Sequence, residues 1–249
     1  MTLTVGSLFS GIGGLDLGLE RAGMRVIWQS EIDPYACKVL GKHWPEVVNH
    51  GNIKEINWDE IKRPDVICGG YPCQPFSTAG KRRGEEDPRH LWPWVREAIS
   101  RLRPRYAILE NVRGHLSLGG LSVIGELASI GYDAEWQIVS AASMGAPHKR
   151  DRLVIVAYPQ RKRDGEHGFA DDIAKAGGLR VFDAGRKERY ERGQWWQAQP
   201  DMVRVAYGVP NRVDRLRGLG NAVVPQVAQF IGELVISHAN ALDNIDTPV

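Results

Sequence analysis

In the stretch "DVICGGYPCQPFSTAGKRRG", residues 65–84, a single thiol stands between two prolines. Cys73 follows an apolar run and two glycines, which puts it just past the end of a strand, and Pro72 and Pro75 restrict φ on either side. A thiol held so rigidly at a strand mouth suits a nucleophile, because a sulfur misplaced by about an ångström loses a large factor in rate. The alternative is a small buried hydrophobe, like Cys68 in the strand before it. The three cysteines, Cys37, Cys68 and Cys73, show neither a CxxC pair nor a Cys/His cluster at zinc spacing. No disulfide framework and no metal site are expected, and the setting reads as reducing and cytoplasmic.

Other polar groups also fall at the ends of apolar runs. Glu110 and Asn111 close "RYAILEN". A carboxyl desolvated there has a raised pKa and can donate a proton, whereas a capping Glu would face water. In "HKRDR", His148, Arg150 and Arg152 alternate into an apolar run, so an extended chain puts all three on one face. Two arginines pointing the same way need an anion, a carbonyl oxygen or a carboxylate, and salt bridges at a sheet edge would also serve. Near the N-terminus, "FSGIGG" (9–14) is a glycine-rich turn entering a helix, where backbone can approach a ligand. A dinucleotide fingerprint would need glycine at position 16, which is Asp16. Glu31, 20 residues after Gly11, ends the next apolar run, where an acid can accept from ribose hydroxyls. That pairing points to an adenosyl cofactor such as S-adenosylmethionine; a structural turn beside a solvent-facing Glu is the plainer reading.

The elements that must position these groups alternate. Strands are expected at 2–9, 25–31, 64–70, 105–111, 132–141 and 152–158, with helices at 13–23, 34–44, 91–102 and 119–131. This order predicts an α/β fold with a doubly wound, mostly parallel sheet. The regular alternation stops at Tyr158. From there to Arg217 the chain is polar and Gly-rich, with thirteen Lys/Arg against nine Asp/Glu and the aromatics Tyr190, Trp195, Trp196 and Tyr207. Such a mixture suits a phosphate-bearing partner or a solvated loop region equally. A last amphipathic helix is expected at 224–239. The 249 residues, 25% charged and 43% hydrophobic with net charge +2, fit a globular chain. No run approaches the roughly 20 apolar residues of a membrane span, and "MTLTVGSLFSG" lacks the basic start of a secretory signal.

Taken together, a thiolate for an electron-poor carbon, an acid for a ring nitrogen, a guanidinium for a ring oxygen and an adenosyl electrophile match one ring, cytosine. The motifs resemble the C5-cytosine DNA methyltransferase family, of bacterial or phage type. "FSGIGGLDLGLERAG" is similar to its first cofactor motif, "PCQPFS" to its nucleophile motif and "ENV" (110–112) to its acid motif. "HKRDR" is similar to its Gln-x-Arg-x-Arg and "GNAVVPQVA" to its last motif, all in family order.

The resemblance implies a Rossmann-like, S-adenosylmethionine-dependent methyltransferase fold acting on double-stranded DNA. It also implies a domain plan. Residues 1–158 would be the catalytic and cofactor-binding domain and 159–217 a small irregular target-recognition region. Residues 218–240 would return to the catalytic domain, and 241–249 would form a tail. Cys73 would be the nucleophile and Glu110 the N3 proton donor. Arg150 and Arg152 would organise the cysteine loop and the cytosine O2, with Asn111 holding that loop. Phe9, Gly11, Gly13, Gly14, Leu15, Glu31, Ile32, Asn52, Ile53, Pro72, Asn221 and Val223 would line the cofactor site. Gln74, Ser77, Lys81, Arg82 and Arg83, on a loop closing over a flipped-out base, would meet DNA. Three departures stand out. Asn52 replaces the usual Asp, Tyr71 a common Pro, and His148 the Gln. The target-recognition stretch is short, so a monomer acting with a partner protein for specificity is one expectation.

Overall fold

The computed structural model describes residues 2–72, 91–115, 119–160 and 218–245. Among them, seven strands form one sheet in the order β3-β2-β1-β4-β5-β7-β6. The strands are β1 (Thr4–Leu8), β2 (Arg25–Ser30), β3 (Val48–Asn49), β4 (Val66–Gly69), β5 (Tyr106–Val112), β6 (Tyr132–Val139) and β7 (Arg152–Pro159). Helices α1 (Gly14–Arg21), α2 (Pro34–His43), α3 (Trp92–Leu102) and α4 (Leu121–Ser129) connect them, and α5 (Pro225–Ile245) follows. The expected elements form with ends shifted by a residue or two, apart from α5, which runs on into the expected tail. The two-residue β3 was not foreseen; Val48 and Asn49 are both exposed and carry no alternating pattern.

The doubly wound, mostly parallel sheet is as expected, with one reversal. β1 to β5 pair in parallel, whereas β7 runs antiparallel to both β5 and β6. A loop with a single 3₁₀ turn joins β6 to β7, and without a crossover helix adjacent strands must run opposite ways. The reversal brings the start of β7 to the finish of β5, where Val112 pairs with Arg152. Glu110 and Arg152 therefore become diagonal neighbours on one face.

Helices cover both faces. On one, α1 and α5 pack over Val5, Val26, Val66, Cys68 and Ile108. On the other, α3 and α4 pack over Leu8, Ile67, Leu109, Leu153 and Ile155. Strands buried on both sides explain the nearly continuous apolar runs of the sequence.

The helical stretch Gly218–Asp243 is, by length and composition alone, apolar enough to cross a membrane, which the sequence reading had not anticipated. Its apolar residues have a destination inside the fold. Phe230, Ile231, Leu234 and Val235 are buried in the core beneath α1. The approach of α5 to α1 is close because of two glycines. A Cβ on Gly18 would run into the Pro225 carbonyl oxygen and the Ala228 methyl, and one on Gly232 would lie 2.8 Å from the Ala22 methyl.

Gly18→Ala is expected to destabilise the fold by roughly 1–3 kcal/mol, since the overpacking outweighs the gain in helix propensity. The control is Gly125→Ala on the exposed side of α4, where nothing lies within 4 Å of a new Cβ; it should stabilise by up to about 1 kcal/mol. Urea unfolding of the two variants checks both signs.

Candidate active site

The first turn sets the geometry of the site. Leaving β1, the chain passes through left-handed conformations at Phe9 (φ 51°), Gly11 (φ 55°) and Gly13 (φ 82°) before entering α1. Glu31, at the end of β2, holds this turn in place. Its Oε2 accepts from the Gly11 N–H at 2.7 Å, and its Oε1 accepts from the Ile32 and Asp33 N–H groups, each at 2.8 Å. Beside this turn lies a cavity of about 550 Å³.

Most of the expected cofactor residues line it: Phe9, Gly11, Gly14, Leu15, Glu31, Ile32, Pro72, Asn221 and Val223. Three of the expected residues are absent from the cavity wall. Gly13 is glycine for the turn itself, because a Cβ there would meet the Trp44 ring. Asn52 caps a 3₁₀ turn, accepting from Lys54 N–H at 3.2 Å and donating to Glu55 at 2.8 Å. Ile53 is buried in the core. Sequence reasoning missed Asp33, Pro34, Tyr35 and Ala36, the start of α2, which also line the cavity. Their signal was available, since they directly follow Glu31, and Asp33 accepts from the Tyr35 and Ala36 N–H groups as the helix cap.

The same cavity is also lined from the end of β5. Glu110 lines it and is only 8% exposed. Arg152 Nε approaches its Oε1 to 2.7 Å. The oxygen nonetheless lacks an aligned donor, so the contact is an ion pair rather than a directed hydrogen bond. Gly70 makes room here, as a Cβ would stand 2.9 Å from Glu110 Oε2. Burial pushes the Glu110 carboxyl above its ordinary pKa, while the nearby charges of Arg152 and then Arg150 oppose the shift.

Asn111 Nδ2 donates to the Tyr71 carbonyl at 3.1 Å, so it holds the backbone leading into Pro72 and Cys73. The Tyr71 ring is buried against Trp92 and His115, at 5.4 Å from each, and its hydroxyl lies 2.8 Å from His115 Nε2. A tyrosine at this position is thus used for packing. Cys73, Gln74, Ser77, Lys81, Arg82 and Arg83 lie outside the described residues, as do residues 161–217 of the expected recognition region.

Arg150 departs from expectation. Its φ of 40° breaks the extended run, so alternation with Arg152 does not apply. Its Nη2 donates instead to the Gly220 and Ala222 carbonyls, each at 2.6 Å.

The C-5 cytosine-specific DNA methylase family model matches residues 3–179. The chain belongs to this family. Relatives include the type II methyltransferase M.BsuFI of Bacillus subtilis, 35% identical over 161 residues, which are 63% of this chain and 39% of that protein. M.Eco47II of Escherichia coli is 38% identical over 170 residues, 65% of this chain and 41% of that protein. The chain thus matches only about two fifths of the length of such relatives. The fold is shared with the Dnmt2 methyltransferase of S. pombe, with a TM-score of 0.64 at 16% identity, covering 98% of this chain and 100% of the other.

In this member of the family, an unused acid lies beneath the first turn. Asp16 is fully buried, accepting from Ser7 Oγ at 3.0 Å and Gln29 Nε2 at 2.8 Å. Burial outweighs both bonds and pushes its pKa up from 3.8 to about 6. A carboxyl raised on folding stabilises the fold fully below its unfolded pKa and loses that contribution as pH climbs through the folded value. Asp16 should therefore withdraw on the order of 2–3 kcal/mol of stability between about pH 4 and 6. Asp16→Asn should flatten this part of the stability–pH curve, measured by urea unfolding at each pH.

Proposed function

We propose that the chain is a DNA (cytosine-5-)-methyltransferase that moves a methyl group from S-adenosylmethionine to C5 of a cytosine flipped out of duplex DNA. The observation that carries this reading is one cavity lined both by the Glu31-held turn and by Glu110. The family model and the type II relatives support the same assignment.

The cavity suits the cofactor. About 550 Å³ falls within the usual range of small-molecule sites. Phe9 and Ile32 offer apolar surface for a base, and Glu31 Oε2, with one donor at 2.7 Å, keeps a lone pair for a ribose hydroxyl. When bound, S-adenosylmethionine supplies an electrophilic methyl group.

The chain's own residues do the rest. The Cys73 thiolate adds to C6, and the displaced electron pair moves through the ring toward N3. Glu110 donates its proton to N3, which leaves C5 as an enamine carbon. Its raised pKa keeps that proton available closer to neutral pH. Arg152, ion-paired with Glu110, stands where a guanidinium can also meet the cytosine O2. Once C5 carries the methyl group, loss of the C5 proton and elimination of Cys73 restore the ring. Glu110 then regains its proton from N3. Gln74, Ser77 and the Lys81–Arg83 run are assigned to DNA contacts, and target choice to residues 159–217.

On duplex DNA containing 5-fluorocytosine the C5 fluorine cannot leave as a proton, so a covalent adduct resistant to denaturation is expected with the native chain and none with Cys73→Ser. An adduct that fails to form while the cofactor binds overturns the reading. Glu110→Gln should lower kcat by roughly 10²–10⁴-fold. The alkaline decline of kcat/KM, which follows loss of the Glu110 proton, should vanish in that variant. Methyl transfer measured on duplex DNA and on transfer RNA side by side decides the nucleic acid, with duplex DNA expected.

A further inference from the structure

The sequence assigns Arg150 and Arg152 to one task, but the fold gives the two guanidiniums different partners. Arg152 pairs with Glu110. Arg150 turns away and donates from Nη2 to the Gly220 and Ala222 carbonyls, bridging 70 and 72 residues of sequence. Those carbonyls flank Asn221, and Asn221, Ala222 and Val223 form one wall of the cavity. Arg150 itself does not line it.

The wall segment joins a short helical turn to α5, and Val223 is buried in the core. Residues 218–221 form one helical turn, closed by the Ala222 N–H donating to the Gly218 carbonyl at 3.0 Å, and residues 222–224 belong to no regular element. On its far side it rests against Gly14, whose missing Cβ leaves space for the Val223 carbonyl. It is therefore gripped from two directions, by α1 through an absent side chain and by Arg150 through two charge-assisted hydrogen bonds. Arg150 also sits at a positive φ of 40°, a conformation that a residue with a side chain rarely adopts. Such a conformation persists where the surroundings hold it, and the anchored guanidinium is one such restraint.

We propose that Arg150 is a positioning residue that holds the 220–223 wall in its ligand-binding shape, so that affinity for the adenosyl cofactor depends on a side chain outside the cavity. The inference rests on the cofactor reading above and deepens it. Lysine at this position retains charge but lacks the planar fork that places its donors in fixed directions. Methionine keeps the apolar stem and removes both hydrogen bonds.

The test titrates S-adenosylhomocysteine, the demethylated form of the cofactor, into the full chain by calorimetry, for wild type, Arg150→Met and Arg150→Lys. Arg150→Met should bind roughly 10- to 100-fold more weakly, with Arg150→Lys between it and wild type. KM for S-adenosylmethionine should rise in parallel. Hydrogen exchange at amides 218–224 should quicken in both variants. A general loss of fold would instead quicken exchange throughout the sheet. If Arg150→Met does not fold, the Arg150→Lys affinity and its exchange at 218–224 decide the matter. Unchanged affinity, or a fall in kcat without a change in affinity, overturns the inference while leaving the cofactor reading intact. Wild type that does not bind S-adenosylhomocysteine overturns both.

Discussion

The cavity depends on one close packing contact, that of the entry to α5 against the first turns of α1. α5 has no strand partner to fix it, so its place is set by side-chain packing alone. Leu19, Phe230, Leu234 and Val235 are all buried between it and the sheet, each contributing on the order of 1.5–3 kcal/mol by its removal from water. That drive is non-directional. What makes the contact specific is the pair Gly14 and Gly18, whose missing Cβ atoms let the Val223 and Pro225 carbonyls come against the helix. The backbone of 220–223 is thereby laid beside the first turn, and two distant parts of the sequence share one wall.

Three acidic side chains, Glu31 and Glu110 lining the cavity and Asp16 buried beneath its first turn, show how surroundings divide labour within one residue class. Glu31 accepts from the Gly11, Ile32 and Asp33 N–H groups and serves as a brace for the turn. Asp16 has only neutral side-chain donors and no solvent, so its pKa climbs to about 6. Glu110 has a guanidinium beside it, yet burial still raises its pKa. Its oxygen facing Arg152 lacks an aligned donor. A carboxyl whose surroundings already favour the proton is suited to giving it to a ring nitrogen, and it is the one of the three that lies at the strand ends beside the chain leading to Cys73.

Much of the site was legible in sequence because its chemistry lies at the ends of strands. An apolar run that stops at a polar group marks both an element and its functional end. This logic brought Phe9, Gly11, Gly14, Leu15, Glu31 and Glu110 to one cavity. It failed where local pattern and backbone conformation parted. "HKRDR" alternates on paper, but Arg150 is left-handed, so the rule for extended chain had no purchase there. Asn52 follows a family pattern, yet its amide caps a 3₁₀ turn and does not line the cavity.

The sequence by itself determined the α/β class, the order of the elements, the family and which groups stand at strand ends. All of these follow from periodicities of a few residues or from motifs read in order. Tertiary structure alone decided that β7 inserts antiparallel between β5 and β6, which sets Arg152 beside Glu110. It alone gave Arg150 the carbonyls of 220 and 222 as partners and made Gly14 a packing notch. The physical reason is range. Hydrophobic period tells each residue which way to face, but what stands opposite comes from elsewhere in the chain and is settled only when distant surfaces pack together.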